Sequence, residues 1–163
     1  MAIMNEQTQE WLKSRDSKEY FELLKFPSVG TDPNHLKDSI DAATWLKRWL
    51  RKIGAEVELI LPKSDFQGGK VPPPVVFAEL KTAQEAKTVL FYGHYDVQPP
   101  DPIEKWDSPP FEPELRKERV YCRGAQDDKG QFFSFLCGVR QLVESSGCPV
   151  NLKIILEGQE ECG

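Results

Sequence analysis

The sequence predicts an α/β fold, and three observations carry that expectation. Apolar stretches of strand length alternate with segments whose apolar residues recur at helical spacing. Glycine and proline mark the joins where one pattern gives way to the other. The later strands each give way to a short polar loop, the arrangement in which α/β sheets keep their ligands.

The elements follow in order. Residues 5–25 read as one polar helix carrying Trp11, Leu12, Tyr20, Phe21 and Leu24, and "FPSVGTDPNH" breaks it with two prolines and a glycine. A firmer helix is expected over 36–53, with Ala43, Leu46, Leu50 and Ile53 on one stripe and Gly54 as its stop. "AEVELIL" alternates, Val57, Leu59 and Leu61 against Glu56, Glu58 and Ile60, as a half-buried strand does. "PPPVVFAELK" supplies a second strand after a proline-rich turn. "KTVLFYGHY" supplies a third, apolar on successive residues as expected of a strand covered on both faces. "FEPELRKERVYCRG" reads as a short hairpin. "GQFFSFLCGVRQLVESSG" is a helix with Phe132, Phe133, Leu136, Val139 and Val143 on one side and Gly147 at its end. "VNLKIILEG" is a last buried strand, so the sheet is expected to be largely covered. The chain halts soon after, at an acidic cluster on a strand end, which reads as the N-terminal part of a longer protein.

Composition narrows the function. With 163 residues, 39% hydrophobic and 29% charged, the chain can build one ordinary core. A net charge of -5 and a pI near 5.2 argue against nucleic acid or an anionic membrane as the main partner. The start has no basic region followed by an apolar one, and no apolar run reaches the length of a membrane span. Cys122, Cys137, Cys148 and Cys162 form no regular frame, so reduced thiols in a cytoplasmic protein are expected.

Three polar clusters carry the chemistry. In "GHYD", His94 and Asp96 are two apart on an extended chain and share a face, so the carboxylate can fix the imidazole tautomer. A histidine bonded to a nearby acid at a strand end is the bland alternative. "RGAQDDKG" sets Asp127 and Asp128 just before a helix. One of them is a candidate ligand, and a helix-capping acid is the alternative. "EGQEECG" gathers Glu157, Glu160 and Glu161 at one sheet edge, where their repulsion asks for a cation unless the loop is simply exposed. Imidazole and carboxylate oxygens together suit zinc or a similar divalent ion. The three clusters repeat one pattern, an apolar element followed by a polar loop, and together suggest one metal site.

"GHYDVQP", "RGAQDDKG" and "EGQEE", in this order, resemble the zinc metallopeptidase superfamily of carnosinase-type dipeptidases, glutamate carboxypeptidase, acetylornithine deacetylase and succinyl-diaminopimelate desuccinylase. "DDKG", with Trp106 and "PPFEP" before it, is most similar to the dipeptidase branch. The resemblance implies the N-terminal portion, residues 1–163, of a mixed-sheet catalytic domain flanked by helices. It implies two zinc ions per site, with manganese or cobalt as substitutes. His94 would ligate one ion with Asp96 orienting it, Asp127 would bridge both through a cis peptide to Asp128, and Glu161 would ligate the other. Glu160 would be the general base that takes a proton from the attacking water. The implied substrate is a dipeptide; an N-acyl amino acid, or a scaffold role without catalysis, are the alternatives.

Two departures bear on this. Cys122 stands where the pattern has glycine, either as a small packing residue or as a thiol near the metal. The pattern also needs a further aspartate, a further histidine and an inserted lid domain through which the whole protein would form a homodimer. The chain contains none of these beyond "EGQEECG", so little peptidase activity is expected of it alone. His35, in "DPNHLKD", lies outside any motif and is expected at the surface.

Overall fold

Six strands and four helices account for the alternating patterns in a computed structural model that describes residues 5–62, 71–82 and 85–162. The leading polar segment forms two helices, α1 (Glu6–Lys13) and α2 (Arg15–Leu24). Ser14 divides them: it is extended, closes α1, and its hydroxyl accepts the Ser17 amide to start α2. A 3-10 turn at Pro33–His35 leads into α3 (Leu36–Lys52), which ends at Gly54 with φ 89°, a backbone region open to glycine. The expected stripe is buried, and Trp45 and Trp49 extend it.

Strands β1 (Glu56–Ile60), β2 (Val75–Leu80), β3 (Thr88–His94) and β6 (Asn151–Glu157) form one mixed sheet in the order β1-β2-β6-β3. β6 runs antiparallel to β2 and parallel to β3. Between them in sequence lie the hairpin β4 (Glu114–Arg116) and β5 (Arg119–Tyr121), turned by Lys117 and Glu118, and helix α4 (Lys129–Ser145). Val76, Ala78 and Leu80 of β2, with Leu152, Ile154 and Leu156 of β6, are buried in one core with the apolar stripes of α3 and α4. Phe91 of β3 stacks on Phe135 of α4, ring centres 3.8 Å apart.

Beyond the split of the first helix, the expectations for the sheet fail in three respects. β3 is not covered on both faces: it is the edge of the sheet among the described residues, and Val89, Leu90 and Tyr92 are exposed. The sheet is therefore covered on one face rather than two, and Ile60, Leu90 and Tyr92 belong to the open one. Leu61, read as continuing the inward face of β1, lies beyond the strand and is exposed. No described helix is long and apolar enough to cross a membrane.

Candidate metal centre

The parallel pairing of β3 with β6 decides where the chemistry gathers. His94 is the last residue of β3 and sits in register with Glu157, the last of β6, so the loops that follow leave the sheet side by side. One loop carries Asp96, the other Glu160 and Glu161.

His94 is only 7% exposed. Its Nδ1 lies 3.3 Å from Asp96 Oδ1 and 3.3 Å from the Asp96 carbonyl oxygen. Asp96 is fully buried, and a carboxylate out of water must be supplied with donors. The Glu160 amide donates to Oδ1 at 3.3 Å and the Glu161 amide to Oδ2 at 3.0 Å. Asp96 thus fixes the histidine ring and the acidic loop with one side chain. Behind it, a Cβ on Gly30 would stand 2.5 Å from Asp96 Oδ2, so only glycine fits there. Ser28 Oγ donates to the Tyr95 carbonyl at 2.6 Å, and the Val97 amide donates to the Ser28 carbonyl at 2.9 Å.

The other ring nitrogen faces the acids. His94 Nε2 is 3.1 Å from Asp127 Oδ1 and 3.8 Å from Glu160 Oε2. The Asp127–Asp128 peptide is cis. Asp128 stands at the start of α4 but makes no side-chain cap; its Oδ2 instead accepts the His94 amide at 3.0 Å. Both aspartates of the pair therefore serve His94, one at the ring and one at the backbone. Glu161 completes the group, its Oε2 accepting from Gln98 Nε2 at 2.7 Å.

His94, Asp127 and Glu161 each offer one ligand atom, and the three atoms lie within 4.8 Å of one another. One imidazole with carboxylate oxygens is the donor set of a zinc-like divalent ion, so these residues fit the cation that the sequence motifs imply. His94, Asp96, Asp127, Glu160 and Glu161, the residues given roles from the sequence, lie together at this one place.

The electrostatics agree with an anionic pocket. Burial lowers the His94 pKa, but its bond to Asp96 and the charges of Asp96, Asp128 and Glu160 outweigh that and push it up to about 9. Burial raises the Asp128 carboxyl, opposed by its bond to the His94 amide. Lys129, fully buried, is pulled down to about 7 by burial, against the pull of Cys122 and Asp96.

Ser28, Gly30 and Gln98 were not singled out from the sequence. Gln98 had a signal, its place inside "GHYDVQP"; the other two become visible only through packing. Cys122 is a packing residue: its buried Sγ donates to the Pro110 carbonyl at 3.1 Å, and burial pushes the thiol up to about 11. His35 pairs with Asp38 at 2.7 Å, half-buried at the start of α3.

Comparison with known proteins follows the same residues. Residues 90–163 match the model of peptidase family M20/M25/M40. Over 144 residues the chain is 33% identical to a Cys-Gly metallodipeptidase of Schizosaccharomyces pombe, covering 86% of this chain and 30% of that protein. It is 40% identical over 118 residues to a mouse (Mus musculus) Beta-Ala-His dipeptidase, covering 70% of this chain and 24% of the other. The crystal structure of human carnosine dipeptidase 1 superimposes with a TM-score of 0.84 at 28% identity, over 97% of this chain and 35% of that one. The chain therefore spans about a third or less of the length of these relatives.

Proposed function

Through residues 90–163 the chain belongs to peptidase family M20/M25/M40, and on that premise we propose that it is the N-terminal portion of the catalytic domain of a dizinc dipeptidase. The observation that carries this reading is the convergence of His94, Asp127 and Glu161, with Glu160 beside them. Bound divalent metal supplies the positive charge that acidifies a water and polarises the scissile carbonyl.

The chain's own residues do the rest. Asp96 holds the imidazole with Nε2 toward the ligand group and fixes the acidic loop through two backbone amides. Asp127 and Glu161 would supply oxygen ligands to the bound metal. Glu160, its side chain 48% exposed, takes the proton from the attacking water and returns it to the leaving amine.

Two neighbouring substitutions test the division of labour in the whole protein. Glu160→Gln lowers kcat by ~10²–10⁴-fold with zinc content unchanged, whereas Glu161→Gln loses zinc and activity together. Zinc loss in the Glu160 variant reverses the assignment. N-acyl amino acids present the same amide, and a higher kcat/KM for them than for dipeptides makes the protein a deacylase.

A further inference from the structure

The metal centre is assembled from pieces of chain that are distant in sequence, and something must hold them in register. The strand end carrying His94 and Asp96 has two direct ties to the turn carrying Asp127, the bond from the His94 amide to Asp128 and the contact of His94 Nε2 with Asp127 Oδ1. Both pass through His94, so by themselves they fix the turn at one residue only. A further tie runs through the interior, and it starts at a lysine.

Lys129 follows the aspartate pair and is 0% exposed. Burying an ammonium is costly, and an apolar side chain of the same length would fill the space without that cost. Its place is also electrostatically poor for the helix, because a cation in the first turn of α4 faces the positive end of the helix dipole. Neither packing nor helix stability accounts for a charge here. Its one described hydrogen bond does: Nζ donates to the Phe26 carbonyl at 2.6 Å.

Residues 26–30 then run beneath the other half of the site. Ser28 bonds to Tyr95 and Val97, Val29 forms an isolated parallel bridge with Val97, and Gly30 packs against Asp96. Gly124 seals the junction: a Cβ there would stand 2.7 Å from Val97 Cγ1 and 3.4 Å from Lys129 Cδ.

We propose that Lys129 is a positioning residue for the metal centre, its ammonium locking residues 26–30 so that the Asp127 turn and the His94–Asp96 strand end are held at coordinating distance. It touches no substrate and acts through Phe26, Ser28 and Asp96. The inference rests on the metal-centre reading above.

The test uses the full-length protein and zinc itself, with affinity measured by competition against a chromogenic chelator. Lys129→Met keeps the length and removes the charge; zinc affinity falls by about tenfold or more, the range seen when residues that orient metal ligands are lost. Ser28→Ala cuts the far end of the same path and stands in if Lys129→Met does not fold; it too weakens zinc, and in the double variant the two losses do not add. Val139→Ala, in the core face of α4, controls for instability by lowering the melting temperature without changing zinc affinity. Zinc affinity within twofold of the parent in Lys129→Met or Ser28→Ala, or a loss no larger than that of Val139→Ala at equal melting temperature, overturns the inference. His94→Ala separates the two readings: if it abolishes zinc binding while Lys129→Met does not, only the lysine's role fails. If it retains zinc, the metal centre and this inference fail together.

Discussion

His94 and Asp96 are 7% and 0% exposed at the end of β3, whereas the side chains of Asp127 and Glu160, facing them, are 69% and 48% exposed. The first half is held by the protein: two backbone amides, residues 26–30 and the register of β3 on β6 fix it. The second half has carboxylates gathered around one imidazole, and their repulsion is relieved only by positive charge. The buried half sets where an ion sits. The exposed half supplies the charge that keeps it there.

That contrast separates stability from metal binding. Asp96→Asn replaces an acceptor of buried amides with a group that cannot satisfy them all. It lowers metal-free stability by about 1–3 kcal/mol and zinc affinity by ~10–100-fold. Asp127→Asn loses zinc binding but changes metal-free stability by no more than about 0.5 kcal/mol, as expected of an exposed side chain. Thermal unfolding with and without zinc measures both. Equal destabilisation of the metal-free protein by the two variants breaks the comparison.

A pH series sharpens it. The metal-free His94 pKa is raised from 6.5 to about 9, so the stability its protonated ring contributes is fully present below 6.5 and is lost as pH rises through about 9. Zinc must displace that proton, so zinc affinity climbs roughly tenfold per pH unit up to about 9 on this account alone. Flat affinity across that window means the ring is not a ligand. The smallest effect belongs to the second histidine. His35→Ala costs about 0.5 kcal/mol or less through its half-exposed pair with Asp38 and leaves zinc content unchanged.

How legible this was in the sequence differed by element. "GHYD" and "EE" could be read because strand periodicity places them at or just past strand ends, which converge in a sheet, and "DD" because it stands at the start of a helix. β3 was misread because a run of successive apolar residues is the same for a strand buried on both faces and for an edge strand with one face open. The break at Ser14 was missed because serine interrupts a polar helix without the mark that proline or glycine leaves. Ser28 supports a carbonyl 67 residues away, and Lys129 looks like any solvated lysine; only tertiary packing shows either one's place.

A crystal structure of the whole protein grown with zinc, with anomalous data at the zinc edge, tests the central claim most directly. The account predicts zinc density ~2.0–2.2 Å from His94 Nε2 and from carboxylate oxygens of Asp127 and Glu161. Zinc bound away from these three side chains, or their separation from one another in the zinc-loaded protein, contradicts it.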